Sequence, residues 1–160
     1  MTMEFGLVHI LALQIKNKKN TSGSEKKQLE TLGDFNMGIR EDVGGILNEL
    51  MERAPGDVTG AALLRPDGLM IASVLPQDTD EKRLAAMGAA IVGTSQRTCD
   101  ELSRGDLGEI IIEGNVGKAT FSFAGSKGIL AVLSPKEVNL GLVLMEVERT
   151  AEKVKEVMEK

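Results

Sequence analysis

The stretch at residues 84–96, LAAMGAAIVGTSQ, constrains the fold of this chain more than any other. It has the apolar spacing of a helix, yet no charged residue lies between Arg83 and Arg97. At about 100° per residue, one face collects the side chains expected against a core. These are Leu84, Met87, Gly88, Ile91, Ser95, Thr98 and Leu102.

The opposite face of this helix lacks the Lys and Glu side chains of an ordinary surface helix. It carries Ala85, Ala86, Ala89, Ala90 and Gly93 instead. A helix that is small and apolar all round is buried on two sides. We therefore expect one side to pack on the chain's own sheet and the other on a second protein surface.

Composition excludes several classes of protein. The net charge is −5, and the chain has no Trp, no Tyr and only four Phe, which argues against a nucleic-acid-binding protein. A single Cys is typical of a reducing compartment, and no apolar run reaches transmembrane length. The sequence predicts a cytoplasmic protein with one main domain.

Residues 1–36 form an N-terminal extension outside that domain. An apolar run at residues 5–15 precedes Lys16, Lys18 and Lys19, the reverse of the order in a secretory signal. We expect an additional docked element or a non-native extension; a weak membrane or partner anchor is the alternative. The run is short for stable membrane insertion. A flexible linker is predicted at about residues 16–36 and the domain at residues 37–160.

Within the domain, periodicity and turn signals predict three helices and five strands in the order αββαβββα, an α+β class. The helices are expected at residues 38–54, 78–103 with Asp78 as N-cap, and 140–158. The strands are expected at residues 58–65, 69–74, 107–113, 118–124 and 129–134.

The chemistry of a catalytic or metal site is missing from the sequence. The one His, His9, and the one Cys, Cys99, lie far apart and do not form a usual zinc ligand set. Gly114–Lys118 resembles the end of a phosphate-binding loop but joins two predicted strands, whereas that loop leads from strand to helix. We therefore predict a protein that is not an enzyme and binds no cofactor or metal.

The order of elements, together with several local motifs, resembles the Roadblock (dynein light-chain) family over residues 37–160. The motifs are the Gly60, Leu63-Leu64 and Asp67-Gly68-Leu69 hairpin, the Ala/Gly-rich second helix, and Asn139-Leu140-Gly141-Leu142 before the last helix. The resemblance implies a five-stranded antiparallel sheet in the order 2-1-5-4-3. It also implies helix 2 on one face of the sheet and helices 1 and 3 on the other.

Members of this family are typically dimers in which helix 2 and strand 3 of the two subunits meet. Carried over to this chain, the resemblance places the dimer interface on helix 2 and strand 3, in agreement with the uncharged face. The interface residues are Ala85, Ala86, Ala89, Ala90, Gly93, Ile110, Ile111 and Ile112. Glu109 and Glu113 share a face of strand 3 with Ile111, so an edge guarded by charge is the alternative. The second subunit is expected to be a second copy or a homologous Roadblock chain.

The resemblance further implies a non-catalytic regulator or scaffold that binds a Ras-like small GTPase. The outer rim of paired second helices offers a platform for that partner, formed by Arg83, Met87, Thr94, Arg97 and Glu101. A merely solvated rim is the alternative, because charges on helix surfaces usually contribute little. The alternative functions are a structural subunit of a larger complex without a GTPase, or a small-molecule sensor domain.

Overall fold

The fold is known from a computed structural model that describes residues 23–160. In chain order the elements are α1 (Gly23–Arg53), β1 (Gly60–Leu64), β2 (Met70–Val74), α2 (Glu81–Glu101), β3 (Glu109–Glu113), β4 (Gly117–Ala124), β5 (Gly128–Pro135) and α3 (Leu140–Met158). The predicted order αββαβββα is confirmed.

The five strands form one antiparallel sheet in the order β2-β1-β5-β4-β3, as the resemblance implies. β5 lies in the centre, with Leu63 of β1 opposite Leu130 and Phe121 of β4 opposite Ala131. Both faces of β5 are apolar, so it suits a position covered by helices on both sides. β2 and β3 are the two edges.

Helices cover both faces of the sheet. On one face, α1 and α3 bury Leu47, Leu50, Val147 and Val154 against Leu130 and its neighbours. On the other face, α2 packs through Ala85 and Val92 on a second cluster, the α2-side cluster, which includes Leu64, Phe121 and Ile129. This arrangement, with α2 on one face and α1 and α3 on the other, confirms the predicted architecture.

The first helix begins at Gly23 rather than at residue 38, so residues 23–36 are helical and not part of a flexible linker. Its first turns contain Glu25, Lys26, Lys27, Gln28 and Leu29, all good helix formers, and no proline interrupts them. The predicted linker is wrong here because a polar composition is common to linkers and to exposed helical turns.

The apolar run at residues 5–15, with Lys16, Lys18 and Lys19, lies outside the described residues, so the role of the extension stays a prediction. Ile39–Lys160 is one compact unit. Among the residues described, no helix is long and apolar enough to cross a membrane.

Candidate interaction surface

The face of α2 that packs on the sheet combines the small residues Ala85 and Gly88 with Val92. Ala85 is 1% exposed, and Gly88 and Val92 are also buried. A Cβ atom at Gly88 would lie 3.0 Å from Cε1 of Phe121 and 3.3 Å from Cδ2 of Leu64. The glycine therefore lets α2 lie close to the sheet.

This orientation differs from the predicted core face, which contained Met87 and Leu102. Met87 is 56% exposed, and Leu102 is also exposed at the end of the helix. Apolar spacing alone favours the larger side chains for the core face. Here α2 lies so close to the sheet that small residues fit at the contact. The assignment of Gly88 to the core face was correct.

The observed orientation of α2 places the predicted dimer residues of this helix in different environments, some buried and some exposed. Ala85 belongs to the core of its own subunit, so its assignment to a second chain was wrong. Ala89 is half-buried and packs against the α2-side cluster. Ala86, Ala90 and Gly93 are exposed, and a Cβ atom at Gly93 would meet nothing within 4 Å. The exposed face of α2 is uncharged along these residues.

β3 supplies the second part of the candidate surface, because its only strand partner among residues 23–160 is β4. Ile110 is half-buried and packs with the α2-side cluster, whereas Ile111 and Ile112 are 41% and 42% exposed. An edge strand offers unpaired N–H and C=O groups to another chain. The open edge and the exposed isoleucines make β3 a candidate surface for pairing with another chain.

Charged side chains stand at both ends of β3. Glu113 lies 3.5 Å from Nζ of Lys118, its neighbour on β4, and that ammonium also donates to the carbonyl of Lys136 at 2.7 Å. At the other end, desolvation and the nearby carboxylate of Glu148 on α3 raise the pKa of Glu109. Glu148 was not among the predicted site residues, because sequence spacing does not reveal which residues of a distant helix approach a strand.

The five predicted partner-binding residues are all exposed on α2: Arg83, Met87, Thr94, Arg97 and Glu101. Arg83 lies 3.5 Å from the carboxylate of Asp80, and its backbone N–H donates to that side chain at 3.1 Å. The N-cap of α2 is thus Asp80 and not Asp78. Beside this rim, Ala90, Ile91, Thr94 and Ser95 line a shallow, open depression.

Leu102, predicted on the core face, is a surface residue. It follows the last helical residue, and Ser103 and Gly105 next to it adopt positive φ. The helix ends at Glu101, and the residue that adopts the left-handed conformation after the C-cap is Ser103 rather than a glycine, so the sequence carries only a weak signal of this end.

The profile of the Roadblock/LC7 domain matches residues 46–134, more than half of the 160 residues. The chain belongs to the Roadblock/LC7 family. Two Methanocaldococcus jannaschii proteins of uncharacterised function are similar to this chain. MJ1340 is 42% identical over 98 residues, and MJ0310 is 41% identical over 98 residues. Each match covers 61% of this chain and 85% of the relative.

Solved structures also share the Roadblock/LC7 fold. Myxococcus xanthus MglB is 19% identical with a TM-score of 0.69, over 74% of this chain and 89% of that one. A Roadblock/LC7 domain from Streptomyces avermitilis is 22% identical with a TM-score of 0.69, over 74% and 99%. At these identities the similarity shows the fold.

Proposed function

We propose that this Roadblock/LC7 protein is a non-catalytic dimeric module that regulates or scaffolds a Ras-like small GTPase. Membership of the family supports this role, because the resemblance to Roadblock proteins implies such partners. The observation that carries the proposal is the exposed, uncharged face of α2 next to the open edge of β3.

The dimer joins these two features. Ala86, Ala90 and Gly93 are exposed and have small side chains, so the backbones of two α2 helices are able to approach closely. Pairing of β3 with β3 satisfies the open edge and covers Ile111 and Ile112. A stable interface of this kind buries about 1,600 Å² in total.

The GTPase binds the rim that remains outside the paired helices. Arg83, Met87, Thr94, Arg97 and Glu101 combine exposed charge with an exposed methionine, and the opposite face of the sheet is covered by α1 and α3. Binding of one GTPase per dimer makes the two subunits inequivalent. The chain contributes surface and no catalytic groups.

Binding to a small GTPase that copurifies with the protein tests this proposal. The GTPase is loaded with GDP or with a non-hydrolysable GTP analogue, and the two affinities are compared by calorimetry. Regulation requires different affinities, because a ligand that binds both states equally shifts no equilibrium. Equal affinities would leave a scaffold and exclude regulation.

The Arg97→Glu variant tests the site, with Arg40→Glu on α1 as the control of equal charge change. Both arginines are exposed. Arg97→Glu is expected to weaken GTPase binding roughly tenfold, the size of a reversed interface charge, and Arg40→Glu to leave it unchanged. Equal binding by both variants, with the dimer intact, would contradict the assigned platform.

A further inference from the structure

The sequence of β3, Glu-Ile-Ile-Ile-Glu, reads the same in both directions. This symmetry matters when two β3 strands pair antiparallel, as in the proposed dimer on which this inference depends. In that dimer both copies of α2 lie on the same side of the joined sheet. Two β3 residues that lie opposite each other must therefore point to the same face of the sheet in their own subunits. The register that uses all five residues is centred on Ile111.

In that register, Glu109 of each copy lies opposite Glu113 of the other. Residues directly opposite in an antiparallel pair have Cβ atoms about 5 Å apart, and like charges there oppose pairing. The isoleucines do not share this conflict, since Ile111 faces Ile111 and Ile110 faces Ile112. The apolar middle of β3 therefore favours self-pairing, whereas its two ends disfavour it.

The charged groups recorded beside β3 compensate only one of its two glutamates, Glu113. On the same sheet face, desolvation and the nearby carboxylate of Glu148 on α3 raise the pKa of Glu109. β4 places Ser122 opposite Glu109 and Lys118 opposite Glu113. Among residues 23–160, Lys118 is the counter-charge recorded for Glu113 and also donates to the carbonyl of Lys136, whereas Glu109 has the like charge of Glu148 near it.

We propose that β3 selects its partner by charge, disfavouring a second copy of this chain and favouring a Roadblock-type edge strand with basic residues at its ends. Lys or Arg opposite Glu109 and Glu113 converts both end contacts from repulsive to attractive and leaves the isoleucine contacts in place. The heterodimer with such a homologous chain is preferred where both chains are present, and the homodimer forms when this chain is alone. Such opposed charges specify partners chiefly by destabilising the wrong pairing.

A charge-swapped copy serves as the surrogate partner. The variant Glu109→Lys/Glu113→Lys is mixed in equal amounts with isotope-labelled wild type, and the dimers are counted by native mass spectrometry. Random association gives heterodimers as half of all dimers. The proposal predicts that about nine-tenths of the dimers are heterodimers, because both homodimers then place like charges opposite each other.

Two control variants separate charge selection from other effects. Glu41→Lys/Glu52→Lys changes the same charge on the exposed surface of α1 and is expected to mix randomly with wild type. Glu109→Gln/Glu113→Gln removes the repulsion, so its homodimer should dissociate about tenfold less readily than the wild-type homodimer.

The outcomes distinguish this inference from the proposed dimer. Heterodimers in the random proportion between wild type and the charge-swapped copy would overturn charge selection and leave the dimer standing. A greater heterodimer fraction with the α1 control variant than with the β3 variant would also overturn it. Absence of any dimer in all mixtures, with each chain folded by circular dichroism, would overturn the proposed dimer and this inference together.

Discussion

At the scale of single residues, Gly88 and Gly45 show how the same residue type serves opposite needs. Gly88 lies where α2 contacts Phe121 and Leu64, and a Cβ atom would approach the ring to 3.0 Å. Gly45 lies on the exposed side of α1, where a Cβ atom meets nothing within 4 Å. Of these two glycines, only Gly88 lies where packing leaves little room for a side chain.

We expect Gly88→Ala to lower the free energy of unfolding by about 1 kcal/mol, because crowding in a packed core outweighs the better helix propensity of alanine. Gly45→Ala should raise it by about 1 kcal/mol, since only the propensity changes. Urea denaturation measures both. A stabilising Gly88→Ala would show that α2 is free to move away from the sheet.

Two glutamates are expected to affect stability in opposite directions as pH changes. A hydrogen bond and the charge of Lys153 lower the pKa of Glu49, with Arg53 adding to the effect. Its stabilising contribution is present above the ordinary glutamate pKa and is lost as pH falls through the lowered value. Glu109 has a raised pKa, so its ionised form destabilises the fold at neutral pH, and this cost disappears on acidification.

Glu49→Gln should therefore destabilise the protein at neutral pH, and Glu109→Gln should stabilise it. The difference for Glu109→Gln is expected to shrink towards zero as pH falls to the ordinary glutamate pKa, and the difference for Glu49→Gln only at lower pH, as its lowered pKa is passed. Urea denaturation from about pH 3 to pH 7 measures them. Differences of the same sign for the two variants would contradict the assigned environments.

At the scale of elements, one buried ion pair joins α1 to α3. Nε of Arg53 lies 3.1 Å from Oε2 of Glu146, whose side chain is only 6% exposed, although the two are not aligned as a hydrogen bond. Arg149 is more distant from Glu146, at 4.0 Å, and is exposed. Glu146 thus depends mainly on Arg53 for a counter-charge.

Arg53→Ala is expected to lower the free energy of unfolding by about 3 kcal/mol, because it leaves the buried carboxylate without its main partner. Arg149→Ala, the matched control, should cost less than about 1 kcal/mol as an exposed pair. The double variant Arg53→Met/Glu146→Met should recover most of the loss, since it removes both charges. Equal losses for the two single variants would show that Glu146 is not effectively buried.

Element order was accessible from the sequence because each strand and helix has its own periodicity and turn residues. The strand order and the placement of the helices on the sheet came from the resemblance to Roadblock proteins. The face of α2 that packs on the sheet was not accessible from the sequence, because alanines and glycines on all sides of the helix give no dominant apolar face. The start of α1 was missed because its first turns are polar and lack a contrasting loop signal. In the candidate surface, exposure of Ala90 and Gly93 agrees with the predicted uncharged face, whereas burial of Ala85 depends on packing that only the structure reveals.

At the scale of the whole molecule, the proposed function requires a second chain that covers α2 and β3. A matched pair of variants isolates this claim. Gly93 on α2 and Gly45 on α1 are both exposed helical glycines, and a Cβ atom added at either would meet open space. A glutamate at either site has similar consequences for an isolated subunit, but only at Gly93 would it place charge between two closely packed helices.

Sedimentation velocity of wild type, Gly93→Glu and Gly45→Glu at micromolar concentration is the most direct test. We predict dimers for wild type and Gly45→Glu, and folded monomers for Gly93→Glu. The reason is that an unpaired charge buried in an interface costs about 3 kcal/mol or more. A wild-type protein that stays monomeric at high concentration, or a Gly93→Glu variant that dimerises as wild type does, would contradict the account.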